Sequence, residues 1–235
     1  NHIGLVKEIG APLPKQQGYL PVDQIDVLTR ISSEDSRKKA DVYLNGLGVS
    51  IKQSGGSFSF NRLQRANLKG VFEELGFSNA NVLLNKVDDE VNSFHNGLLE
   101  TRNRPWAVFF EEQEFKLLLR FLMCEGSPNY GRSVHPANYI LEAPSRDIDA
   151  SNINVYKFDE YFEKYKDKFK IAIRRQWIGQ GSKTEHKRAS GLIKKEENLP
   201  WAYDDVIGMP TSGWMDDFPE ANRKTVYFLM IEKVR

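Results

Sequence analysis

The sequence predicts a mixed α/β fold of the α+β kind, a sheet flanked by helices. Three observations lead there. A strand–turn–strand pattern runs from Asp41 to Gln53. A strong amphipathic helix pattern follows from Phe60 to Leu75. Alternating, β-branched stretches return late, at Lys170–Trp177 and Thr225–Val234. Strands and helices interleaved in this way suit one mixed domain.

The elements are justified in order. His2–Gly10 reads as the end of a short helix. Residues 11–21 carry Pro12, Pro14, Gly18 and Pro21 and read as an extended loop. Val22, Ile25, Leu28 and Ile31 at three-residue spacing predict a helix over 22–31, and a polar turn follows to Lys39. Asp41–Asn45 and Leu47–Gln53 read as two strands joined at Asn45-Gly46, and Ser54-Gly55-Gly56-Ser57 ends the second. In the next helix Phe60, Leu63, Ala66, Leu68, Val71, Phe72 and Leu75 form the apolar stripe, and Gly76 suits its stop. Residues 81–99 and 105–123 also read as helical. Residues 126–144 are loop-rich, with a short strand at Tyr139–Leu141. Residues 155–165 read as a strand entering a helix. Residues 179–199 are polar and basic without a period, so they read as a loop.

Composition narrows the class. The 235 residues are 40% hydrophobic and 28% charged, which describes a globular chain rather than a disordered one. One cysteine, Cys124, excludes a disulfide framework and a cysteine-based zinc site. No apolar run approaches the ~20 residues of a membrane helix, and no signal-peptide pattern is present. A cytoplasmic location, with no membrane partner, is the expectation. His2, His95, His135 and His186 show no metal-ligand spacing. The net charge is +1, but it is segregated. Residues 168–195 hold nine basic residues against the single acid Glu185, while residues 73–125 hold ten acids against five bases.

The chemistry concentrates at Asp41–Lys52. Alternation on a strand puts Ser50 and Lys52 on one face. The short turn folds that strand back toward Asp41, so a carboxylate and an ammonium meet at one sheet end. A carboxylate can hold Mg²⁺ and a lysine can orient water or stabilise charge, which suits phosphodiester hydrolysis. On pattern alone, an ordinary hairpin with a solvated Lys52 competes with that reading.

Lys39-Ala40-Asp41 through Gly48-Val49-Ser50-Ile51-Lys52 resembles the active-site hairpin of the PD-(D/E)xK nucleases. The continuation Gln53-Ser54-Gly55-Gly56-Ser57-Phe58-Ser59-Phe60-Asn61-Arg62-Leu63-Gln64-Arg65 resembles a type II restriction endonuclease. The resemblance covers about residues 39–75. It implies a restriction-endonuclease-like mixed central sheet flanked by helices, one domain over 1–235, and Mg²⁺-dependent, site-specific cleavage of double-stranded DNA. It implies Asp41 as metal ligand and Lys52 as the catalytic lysine. Ser50 stands where a second acid is usual, so another carboxylate is sought. Glu8 on an N-terminal helix is the first candidate, since this fold often uses a first-helix glutamate; Glu34 and Glu73 follow.

DNA contacts are expected from two places. Arg62, Arg65 and Lys69 share one face of the helix after the hairpin, with Asn61 and Gln64 beside them and Gln53 before them. The basic stretch at about 168–195 adds Arg174, Arg175, Gln176, Lys183 and Lys187. A homodimer is expected if the target is palindromic. Two other readings stay open: a non-catalytic DNA- or RNA-binding module with a degraded nuclease fold, and an interaction domain whose basic loop meets an acidic protein.

Overall fold

The structure, a computed structural model, describes residues 2–23, 37–59, 62–204 and 210–234. It is mixed α/β. In chain order the strands are β1 (Ile9–Pro12), β2 (Tyr19–Pro21), β3 (Val42–Leu44), β4 (Leu47–Gln53), β5 (Phe58–Ser59), β6 (Asn103–Pro105), β7 (Gly126–Ser127), β8 (Gly131–Arg132), β9 (Tyr139–Ala143), β10 (Asn154–Tyr156), β11 (Phe169–Ile178), β12 (Ala202–Tyr203) and β13 (Lys224–Lys233). The α-helices are α1 (Arg65–Glu74), α2 (Ala80–His95), α3 (Glu112–Arg120), α4 (Phe158–Tyr165) and α5 (Lys183–Leu192). Among the described residues no helix is long and apolar enough to cross a membrane.

The chain divides into two compact units. The first comprises Asn1–Phe60, Lys116–Phe169 and Lys233–Arg235; the second comprises Asn61–Phe115 and Lys170–Glu232.

The first unit is built on a six-stranded sheet in the order β10-β9-β4-β3-β1-β2. Only β4 and β9 pair in parallel; the other neighbours are antiparallel. The β3–β4 hairpin follows from its turn residues. Asn45 (φ 51°) and Gly46 (φ 77°) both take positive φ, which a tight two-residue hairpin turn requires and which Asn-Gly tolerates best. Gly48 is required by proximity: a Cβ there would lie 2.3 Å from the Pro136 carbonyl oxygen. Helix α4 buries Phe158, Tyr161 and Phe162 and packs against β9 and β10.

The second unit is built on the sheet β12-β13-β11-β6. Helices α1 and α2 pack together, burying Leu68, Val71 and Phe72 from one and Leu83, Val87 and Val91 from the other. Trp106 stacks on Phe115 at 4.8 Å between ring centroids.

Several expectations change. Residues 2–10 form no helix. Asn45 takes their backbone groups instead: its Oδ1 accepts from Lys7 N at 2.8 Å and Glu8 N at 3.2 Å, and its Nδ2 donates to Leu5 O at 2.9 Å. The expected loop at 11–21 contains the β1–β2 pair. The helix expected over 60–75 begins only at Arg65, because Leu63 is taken into a bridge with Leu229. The stretch 105–123 is helical in pieces: a 3-10 turn at Trp106–Val108, α3, then a π-helical turn at Phe121–Glu125. The basic stretch at 179–199 is not a loop; it carries α5, capped by Ser182. The helix expected over 22–31 lies mainly outside the described residues.

Candidate active site

The hairpin places Asp41, Ser50 and Lys52 together in the first unit. The register pairs Val42 with Val49, so Asp41 lies across from Ser50 at the open end of the hairpin. Lys52 Nζ donates to Ser50 Oγ at 2.8 Å. Ser50 Oγ donates in turn to Asp41 Oδ2 at 3.4 Å, and Ile51 N donates to the same oxygen at 2.7 Å. Ser50 is buried, so its hydroxyl is held between the two charged groups. Asp41 Oδ1 has no hydrogen bond to a described residue.

Glu8 does not join them. It precedes β1 in an extended segment, and its carboxylate accepts from Tyr19 Oη at 2.5 Å. Tyr19 Oη lies by Gly46, at the turn. Asp41 is four residues away along β3, roughly 13 Å at strand spacing. Glu73 belongs to the second unit, 3.8 Å from Lys69. Glu34 lies outside the described residues. Among the described residues no group of three or more His, Cys, Asp and Glu comes together. A lone Asp41 suits Mg²⁺ in one respect: that ion keeps much of its shell as water and substrate phosphate oxygens and takes only one or two carboxylates.

Two residues that sequence reasoning missed stand close by. Lys39 is part-buried and donates from Nζ to Leu122 O at 2.8 Å, in the π-helical turn. Burial, and then the charge of Lys52, lower its pKa to about 8. Glu142 is the register partner of Lys52 on β9, so both side chains stand on one face. Glu142 is fully buried and already satisfied: it accepts from Lys233 Nζ at 2.8 Å, Tyr165 Oη at 2.5 Å and Tyr161 Oη at 3.5 Å. Its sequence signal was a charge at an inward position of an apolar strand. Cys124 is buried, and burial pushes its thiol up to about 12, which leaves it unreactive. His135 is buried and structural. Its Nε2 donates to Leu13 O at 2.7 Å, which leaves Nδ1 to accept from Tyr43 Oη at 2.9 Å.

The expected DNA-contacting residues fall mostly in the second unit and separate into two groups. Arg65 is locked into the fold: it forks onto Asp88, donates to Glu197 O at 2.9 Å, and shares Asp88 with Trp201 Nε1. Arg174 is paired with Glu232. Gln176 is buried and donates to Glu185, which also holds Arg188 and lies 3.6 Å from Arg62. Arg62 lies over the Phe228 ring at 4.7 Å. Gln64 stands at the N-cap of α1, its N donating to Asn67 Oδ1. Arg65, Arg174 and Gln176 spend donors inside the protein, whereas Arg62 Nη1 is buried without a hydrogen-bond partner among the described residues. Lys69, Arg175, Lys183 and Lys187 are exposed, as is Gln53 in the first unit. Lys183 and Lys187 stand on α5 without an ion pair to a described residue. Asn61 lies outside the described residues.

Compared with known family models, curated proteins and solved structures, the chain matches none.

Proposed function

We propose that this chain is a Mg²⁺-dependent, sequence-specific endonuclease for double-stranded DNA, of type II restriction character and PD-(D/E)xK kind. Its restriction-endonuclease-like fold, its homodimeric state and its cytoplasmic location belong to the same proposal. One observation carries it: the hydrogen-bonded row Lys52–Ser50–Asp41 on a tight hairpin. In that row Asp41 would hold the metal and Lys52 would face the scissile phosphate. Ser50 replaces the usual second acid and orients the ammonium. Mg²⁺, when bound, supplies Lewis-acid stabilisation of the phosphate and a more acidic water. Lys52 then offers a proton or a positive charge to the developing oxyanion. Exposed Lys183 and Lys187 suit the phosphate backbone.

The test is digestion of a diverse plasmid library with Mg²⁺, followed by sequencing of the ends. Discrete ends are expected, and Asp41→Ala and Lys52→Ala should abolish them. Uncut plasmid, or variants that cut as well as the parent, would sink the proposal.

A second reading is favoured by a specific observation: Asp41 is the one described carboxylate in the row, beside Lys52 and near Lys39. A site rich in ammonium groups suits phosphate binding without cleavage. In that case the chain is a DNA- or RNA-binding module, its binding falls with salt and survives Asp41→Ala, and no ends form.

A further inference from the structure

The row Lys52–Ser50–Asp41 has a neighbour that the nuclease reading leaves without a task. Lys39 precedes Asp41 on the same segment, and the backbone there is fixed. Lys39 N and Ala40 N both donate to His135 O, at 3.0 and 2.9 Å, and Asp41 N donates to Val49 O at 2.8 Å. His135 is itself buried and held through both ring nitrogens. The ammonium is steered from another element: Lys39 Nζ donates to Leu122 O at 2.8 Å, on the π-helical turn. Lys39 stands within electrostatic reach of Lys52 and of Asp41. Cys124, on that same turn, stands within reach of both lysines. All of these residues belong to the first unit.

Charge and donors do not balance there. Two ammonium groups share the place with one carboxylate. Neither lysine forms an ion pair with a described residue: Lys39 is bonded to a backbone carbonyl and Lys52 to the Ser50 hydroxyl. An ammonium carries three N–H donors, so each keeps donors without a partner among the described residues. Both side chains are half-buried, where a charge is solvated less well and an unmet donor costs more. A hydroxyl or a carbonyl satisfies a donor but cancels no charge. An anion with acceptor oxygens does both.

We infer that Lys39 binds the DNA backbone beside Lys52, its ammonium donating to a phosphate oxygen. The inference rests on the DNA reading above and adds a residue to it. A phosphodiester suits the place because it brings a negative charge and acceptor oxygens that a lysine meets as a point charge, whatever the base sequence. The bond to Leu122 O keeps the ammonium in place before DNA arrives and leaves its other donors for the phosphate. Lys39 is thus a substrate-binding group of the same site, and Lys52 is left for the scissile phosphate.

The experiment measures binding of the full chain to a short labelled duplex by fluorescence anisotropy, over a series of salt concentrations. The duplex carries the sequence cut in the plasmid digestion, or a random sequence if nothing is cut. Ca²⁺ at a fixed concentration replaces Mg²⁺, and the pH is 7, where the Lys39 ammonium keeps its charge. Lys39→Met and Lys39→Gln should each flatten the log–log salt slope by about one unit, the loss of one phosphate contact. Glutamine can still donate to Leu122 O, so it separates the charge from that hydrogen bond. Lys39→Arg should keep the slope. Circular dichroism checks the folding of each variant. A slope that Lys39→Gln leaves unchanged, or that Lys39→Arg loses as well, makes Lys39 structural and overturns the inference. A parent that cuts while the slopes agree overturns it and leaves the nuclease reading intact. A parent that binds but never cuts with Mg²⁺ defeats the nuclease reading, and the slopes still decide Lys39. A parent that binds no duplex overturns both.

Discussion

Ser50 is the residue on which the candidate chemistry turns. Only the resemblance to the PD-(D/E)xK hairpin marked it as a departure, from the acid usual at that position. Its neighbours explain what a hydroxyl can do there: it accepts from Lys52 and donates to Asp41, which a carboxylate cannot do without a proton of its own. Lys52→Ala should lower single-turnover DNA cleavage by about 10²–10⁴-fold, the range for loss of a positioned proton donor. Lys39 allows a pH test. Its pKa is about 8 in the folded chain against 10.5 ordinarily, so the unfolded chain binds more protons between those values. Stability therefore rises with pH through that window. Urea unfolding at pH 7.5, 9 and 10 should show the parent gaining on Lys39→Met as pH rises; a constant difference would refute it. Lys39 was not legible as a special residue, because its burial comes from the π-helical turn some eighty positions away in the chain.

At the scale of elements, the hairpin was the most legible part. Asn-Gly, β-branched content and alternation are local signals: the first two marked β3 and β4, alternation marked β11, and short apolar runs marked β9 and β13. The N-terminal helix failed for a reason no local window contains: Asn45, in the β3–β4 turn, supplies the partners that would otherwise come from within the helix. Helix α5 was hidden because it is polar over most of its surface and buries only Ala189 and Leu192. The candidate site was half legible. Asp41, Ser50 and Lys52 came together as expected, whereas Glu8 went to the turn. Gly48→Ala should destabilise the first unit by about 1–3 kcal/mol, the cost of overpacking against a backbone oxygen, read from the urea midpoint. For α5, if DNA is the ligand, Lys183→Ala with Lys187→Ala should lessen the salt dependence of binding by about two units of log–log slope.

For the whole molecule, the buried pair Glu142–Lys233 is the interaction to break. Both groups are nearly inaccessible, and the Lys233 ammonium also lies 3.6 Å from the centre of the Tyr165 ring. Lys233→Met strands a carboxylate and should cost about 3–5 kcal/mol, while Lys233→Met with Glu142→Leu should recover most of it. Thermal unfolding of the two variants checks the difference. The segregation of charge also belongs to this scale. Part of the basic stretch is consumed by internal partners, Glu232 for Arg174 and Glu185 for Arg188, so a count of charges overstated the surface left for a polyanion.

The pair has a further consequence, because Lys233 returns to the first unit after a long run in the second. The chain passes between its two units four times, the last time at Lys233, the final residue of β13. Neither unit is a continuous stretch of gene. No single cut yields either one intact, and no crossover between related genes could exchange one for another in one event. Evolution of the two units is therefore coupled: a change in one must be tried in the presence of the other, and the chain is inherited as one indivisible piece.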